Sequence, residues 1–202
     1  MKNTVKIIAL MTALTLSACS IGNRTAQYGE NVSTTLGNIM VDAQQSAGEL
    51  STTNGNVVLG VNAQAKNIEV VNGNIELSQL NQVGSLVTVN GNVDIGQKST
   101  VNGYIETVNG NIDINEHTQI SGNIVTTNGN INLSKGSRVT GDIVFEKRSQ
   151  WLSSFDIKTP ELMIEQGVEI TGRIYLYQKI KLNILDKKLL DKVVYHYQDN
   201  KI

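Results

Sequence analysis

Val108-Asn109-Gly110-Asn111-Ile112-Asp113-Ile114 is one of several copies of a single phrase, and its recurrence decides the architecture. Asn-Gly-Asn stands at Asn54–Asn56, Asn72–Asn74, Asn90–Asn92, Asn109–Asn111 and Asn128–Asn130, so its glycines fall at near-constant steps along the chain. A period this short and regular marks one supersecondary unit stacked on copies of itself.

Aligning the copies shows which side chains stack. One column after the phrase reads Val57, Ile75, Val93, Ile112, Ile131, and two residues on another reads Leu59, Leu77, Ile95, Ile114, Leu133. Apolar residues at alternate positions describe a strand with one face inward. A second strand is marked by Leu50, Ile68, Leu86, Ile105, Ile124, Ile143 and Ile174, and just before it runs Val83, Val101, Ile120, Val139, Ile170. Each coil therefore supplies short β segments that pair in parallel with their equivalents one coil later. The expected fold is all-β, a single-stranded right-handed parallel β-helix (a β-solenoid) with 18–19-residue coils, its hand taken from the right-handed crossover preference. Six or seven coils rising about 4.8 Å each would make a rod roughly 30 Å long.

Glycines 55, 73, 91, 110 and 129 mark one corner and glycines 84, 103, 122, 141 and 172 another. The asparagines are placed to form ladders, amide to amide, from coil to coil. Two rival folds share these signals. Asn-Gly is also the strongest hairpin signal, so an antiparallel meander is one, but it leaves the constant offset of apolar residues from every glycine unexplained. A left-handed β-helix of hexapeptide repeats is the other, and its frame of sixes breaks where the step between phrases lengthens by one after Gly91.

The regular coils are expected from about Gly37, where Leu36-Gly37-Asn38-Ile39 is a worn copy, to Phe145. The step from Gly141 to Gly172 exceeds a single coil by more than half, so an insertion falls around residues 147–160 and carries Trp151, Leu152, Phe155 and the only proline. The pattern then resumes at Val168, and the segments from Lys181 and Lys192 finish the last coil. Lys187, Lys188 and Lys192 put charge near the open end, a guard against edge pairing. The domain thus spans residues 36–202, with a C-terminal cap.

The first residues tell where the chain is sent. Lys2 and Lys6 form a basic start, Ile7 to Leu16 an apolar run too short to span a bilayer, and Leu16-Ser17-Ala18-Cys19 follows. This resembles a bacterial lipoprotein signal, which implies cleavage of residues 1–18 and acylation of Cys19, the only cysteine. One acyl chain binds a membrane only marginally, about 10⁴ M⁻¹, so several on Cys19 would make a durable anchor. Ser20 rather than aspartate after the cysteine favours, by the same resemblance, the periplasmic face of the outer membrane. Residues 19–35 are polar and without periodicity, and read as a flexible tether.

The chemistry inventory is thin. The formal net charge is -1, from 17 Lys and Arg against 18 acids, which offers no basic field for nucleic acid. His117 and His196 have no second ligand at metal-binding spacing, and no phosphate-binding loop or nucleophile elbow is present. Asp94 and Asp113 point outward from adjacent coils about 5 Å apart, a spacing at which carboxylates can share a proton, although Glu76 and Asn132 in the same column favour a solvated row. Thr52, Thr88, Thr107 and Thr126 form a column that could be read as an ice- or glycan-binding ladder, but Val70 interrupts it and threonine on a strand is ordinary. Trp151 and Phe155, scarce aromatics in the only long insertion, are the candidate partner contact. No catalytic residue, metal site or cofactor is expected.

The run Val101 to Ile114, with Gly136-Ser137-Arg138-Val139-Thr140-Gly141-Asp142-Ile143-Val144 after it, resembles the bactofilins, or polymer-forming cytoskeletal proteins, and the putative-adhesin β-repeat proteins. The likeness spans about Gly37 to Leu182 and concerns stacking geometry. It implies a right-handed β-helix and, for bactofilins, cytoplasmic filaments, from which a lipoprotein signal departs. The functional expectation is a non-enzymatic, lipid-anchored scaffold or adhesion surface of the cell envelope, a monomer or small oligomer with an envelope protein or glycan as partner. The alternative is a polysaccharide-binding or polysaccharide-processing β-helix.

Overall fold

The computed structural model describes residues 20–148 and 158–197. These residues wind into a parallel β-helix with three sides, and every strand pair in it is parallel, so the antiparallel meander is ruled out. The first sheet has nine strands, from Val32–Leu36 to Val193–Tyr195, and the second has nine, from Arg24–Thr25 to Lys181–Ile184. The third has six two-residue strands, from Gln64–Ala65 to Glu169–Ile170. The sides are unequal, as the strands Leu86–Asn90, Val93–Ile95 and Thr100–Val101 of one coil show, rather than three equal sixes.

Register follows the columns read from the sequence. Leu86 pairs with Ile68 and Ile105, Val93 with Ile75 and Ile112, and Val101 with Val83 and Ile120. Their side chains fill one continuous core in which Val93, Val101, Ile105, Ile112, Ile124 and Ile131 have no exposed surface. A register slip by a single position would turn each of these rows to solvent, so burial itself holds the pairing in place. The lengthening of the period by one is absorbed at the corner between the third and first sheets. Val83-Gly84-Ser85-Leu86 becomes Val101-Asn102-Gly103-Tyr104-Ile105, while the other two corners keep their length.

Each corner has its own chemistry. Between the first and second sheets the leading asparagines form an amide ladder, Asn72 Nδ2 donating to Asn54 Oδ1 (3.0 Å), Asn90 to Asn72 (2.9 Å), Asn109 to Asn90 (2.8 Å) and Asn128 to Asn109 (2.8 Å). The second asparagine of each phrase does something different: Asn56 Oδ1 accepts from the backbone N–H of Asn74, and Asn92 Oδ1 from that of Asn111. The glycine between them is demanded by stacking. A Cβ on Gly110 would overlap the carbonyl oxygen of Gly91, and one on Gly129 that of Gly110. Positive φ is not the common cause, because it occurs at Gly55 and Gly73 but not at Gly91, Gly110 or Gly129. The corner between the second and third sheets instead puts one residue per coil in the left-handed region: Gln44, Asn62, Leu80, Lys98, His117 and Gly136.

Two expectations need correction. Residues 24–35 are not a tether, since Arg24–Thr25 pairs with Ile39–Met40 and Val32–Leu36 with Leu50–Asn54, burying Ala26 and Val32. Val32-Ser33-Thr34 repeats the in-out-in order of Leu50-Ser51-Thr52, but its polar composition masks the match. The rod is also longer than six or seven coils, roughly 40 Å for nine strands at about 4.8 Å. Coils at both ends lack Asn-Gly-Asn and so escape a count of that phrase. The threonine column, which Val70 interrupts, faces inward.

The insertion falls between the strands ending at Phe145 and beginning at Glu161, where that coil has no Asn-Gly-Asn corner, and its residues 149–157 lie outside the described residues. Other side chains take over the lost bonds. Arg148 Nε donates to Asn128 Oδ1 (2.8 Å), the backbone N–H of Glu161 donates to Asn130 Oδ1 (2.9 Å), and Gln178 Nε2 reaches back to Thr127 O (2.5 Å) and Glu146 O (2.7 Å). Beyond it, Glu169–Ile170 and Ile174–Leu176 rejoin their sheets as expected. After Lys181–Ile184 a 3-10 helix, Lys187–Lys192, stands where the third sheet would gain its next strand and turns Leu189 onto the core.

Candidate interaction surface

Alternation divides every strand between core and surface, and the three outer faces differ. The third sheet shows Gln64, Gln82, Thr100, Gln119, Arg138 and Glu169, the last two joined by a 2.6 Å ion pair. The second shows Met40, Val58, Glu76, Asp94, Asp113, Asn132, Met163 and Asn183. The first is the apolar one. Its two outward columns read Ser33, Ser51, Glu69, Val87, Glu106, Val125, Val144, Tyr175, Val194 and Thr35, Thr53, Val71, Val89, Val108, Thr127, Glu146, Tyr177, His196.

Glu106 sits in the valine field, flanked in register by Val87 and Val125. Burial, reinforced by the charge of Glu146, lifts its carboxyl to about 7. Burial and the charge of Glu49 raise Glu69, and the Tyr104 phenol is raised by burial and by both Glu106 and Glu69. Neither Glu69 nor Glu106 forms an ion pair among the described residues. At its C-terminal end the same face carries an aromatic stack, the His196 ring lying 4.7 Å from Tyr177 and 5.8 Å from Tyr175.

The other candidates fall out as follows. Asp94 and Asp113 are paired in register, and each is held by a neutral amide: Asn115 Nδ2 donates to Asp94 (3.0 Å) and Asn132 Nδ2 to Asp113 (2.5 Å). Asp94 is raised by burial and by Asp113, with the Asn115 bond opposing. Thr52, Thr88 and Thr107 are buried and donate to the glycine carbonyls of the coil beneath, Gly37, Gly73 and Gly91, at 3.1 Å each. They are rungs of the interior, not a surface ladder. Thr126 is equally buried, so the column offers no exposed hydroxyl there either. His117 is exposed at a corner over Gly136. Cys19, Trp151 and Phe155 lie outside the described residues.

The sequence missed a groove along the corner between the second and third sheets. It has a volume of about 500 Å³ and is lined by Ser78, Gln79, Gly96, Gln97, Asn115 and Ser134 among others. The signal was present in the small residues Ser78, Gly96 and Ser134 of one column at this corner, which Asn115 interrupts. Among the described residues no group of three His, Cys, Asp or Glu is placed to hold a metal ion, and no helix is long and apolar enough to cross a membrane. No protein-family model, curated protein or solved structure matches the chain.

Proposed function

We propose that this protein is a lipid-anchored β-helix of the bacterial cell envelope that acts as a non-catalytic scaffold or binding surface. The anchor reading rests on the leader and on Leu16-Ser17-Ala18-Cys19. The observation that carries the binding reading is the outer face of the first sheet, where the half-buried Val71, Val89, Val108, Val125 and Val144 form an apolar stripe beside the buried Val87. Extended apolar patches on a folded surface are sites of contact with other molecules. The membrane end would be the N-terminal coil and the C-terminal coil would point into the periplasm.

Cys19→Ala tests the anchor. The variant should leave the membrane fraction and behave as a soluble periplasmic protein, while the unaltered chain sediments with outer membranes and takes up labelled palmitate. A variant that still fractionates with membranes would end the lipoprotein reading. The amide-lined groove supports a second reading, that the rod binds a polysaccharide along its length. Binding on a glycan array that is lost in Gln97→Ala, together with intact polymer after incubation, would favour that reading over the apolar face and over an enzyme.

A further inference from the structure

We infer that the outer face of the first sheet, from Val71 to Val144, docks a cationic apolar polypeptide segment whose lysine or arginine pairs with Glu106 while its apolar side chains lie along the valines. The inference rests on the binding-surface reading above and names the chemistry of the partner.

The composition of the face is one-sided. Its two outward columns hold three glutamates, Glu69, Glu106 and Glu146, and no lysine or arginine, although Lys and Arg total 17 against 18 acids in the whole chain. A carboxylate set among valines loses hydration without gaining a partner, and either takes up a proton or draws in a cation. Among the described residues, the groups that face Glu106 do not supply that cation: Glu146 and Glu69 are acids and Tyr104 is a neutral phenol near them. A positively charged side chain brought in by a partner would meet a desolvated carboxylate, where a charge-assisted bond is strong.

Other occupants fit less well. A second copy laid face to face would set glutamates against glutamates. An anionic membrane surface would be repelled by Glu69 and by the ionised form of Glu106. A small cation would use Glu106 but leave the valines wet. A segment that alternates apolar and basic residues satisfies both, and the stripe, about 20 Å long over five coils, accommodates it.

The test uses the full chain in a zwitterionic detergent and a synthetic peptide of alternating lysine and leucine, with an alternating glutamate and leucine peptide as control. Calorimetric titration near pH 6, in two buffers with different heats of ionisation, reads both affinity and proton exchange. Glu106 is largely protonated there and must ionise to pair, so binding should release about one proton, and affinity should fall as pH is lowered through about 7. Glu106→Gln should abolish the proton release and weaken binding about tenfold. Val125→Thr should weaken binding while leaving the proton release in place. Thermal melts of both variants near that of the unaltered chain show that the fold is retained, and Glu106→Gln, nearly isosteric, guards against the case where Val125→Thr does not fold. Equal binding of the two peptides, or binding indifferent to Glu106→Gln, overturns the inference. So does sedimentation showing that the full chain pairs with itself through this face. None of these results bears on Cys19, whose fractionation test stands apart.

Discussion

At Gly110 the reason for glycine is the coil beneath. Gly110→Ala would drive a methyl group into the Gly91 carbonyl oxygen, and neither backbone can move without breaking ladder bonds on both sides. A loss of about 3 kcal/mol is expected, visible as a lower Tm and an earlier denaturant midpoint. Lys98 presents the opposite case, a side chain in the left-handed region with φ 60°. Lys98→Gly should be neutral or gain up to about 1 kcal/mol, because the strain of a Cβ there is relieved while some backbone entropy is lost. If Gly110→Ala melts with the unaltered chain, the stacked corner is wrong. Neighbouring residues on one strand make the matching test of register. Ile131→Asp buries a charge in a fully enclosed row and should cost about 4 kcal/mol or more. Asn132→Asp also has a cost, though a smaller one, because the amide now donating to Asp113 would become a second carboxylate. That smaller loss should vanish on acidification, which the Ile131→Asp loss should not.

At the scale of the element, the asparagine corners bring chemical stability together with order. Asn-Gly deamidates when the glycine nitrogen attacks the asparagine side-chain carbonyl. In the corner at Asn90 both partners are engaged, since Gly91 N donates to Asn109 O (3.1 Å) and Asn90 Oδ1 accepts from Asn109 Nδ2 (2.8 Å). Loss of ammonia from Asn72 and Asn90 should therefore be slow in the native protein and fast after denaturation. Peptide mapping that finds one rate in both states would mean that the ladders are open. The side where the insertion departs is held by single side chains rather than by a repeated corner. Gln178 donates to both Thr127 O and Glu146 O, so Gln178→Ala should remove both bonds and lower stability by about 2 kcal/mol.

At the scale of the molecule, a rod of parallel coils ends in unpaired strand edges unless something covers them. At the C-terminal end the 3-10 helix Lys187–Lys192 covers the third side, with Leu189 on the core and Lys192 Nζ donating to Thr171 O (3.1 Å). The Val193–Tyr195 strand closes the first sheet. Truncation after Leu185 removes both and exposes the edge of Ile174–Leu176. The shortened chain should associate end to end by sedimentation velocity and electron microscopy, while the full chain stays a monomer or small oligomer. Filaments of the full chain would refute the cap.

The repeat period, the inward columns, the amide ladder and the place of the insertion were all legible in the linear chain. They depend on spacing alone: a residue at a constant offset from Gly55, Gly73, Gly91, Gly110 and Gly129 must stack on its equivalents whatever surrounds it. The coil at residues 24–35, which lacks Asn-Gly-Asn, was hidden because its membership depends on pairing with a neighbour, whereas beyond Phe145 the apolar columns by themselves marked where the pattern resumes. The column of threonines shows the same limit. Period-two alternation assigns Thr107 to the same face as Ile105, yet a hydroxyl reads as surface until the carbonyl of Gly91 is found one coil below to accept its proton. Glu106 was unremarkable in sequence, since its desolvation comes from burial that the winding creates, and its perturbing charge from Glu146 two coils on. Local order is set by spacing, but electrostatic environment is set by what the winding brings alongside, and only the tertiary structure decides that.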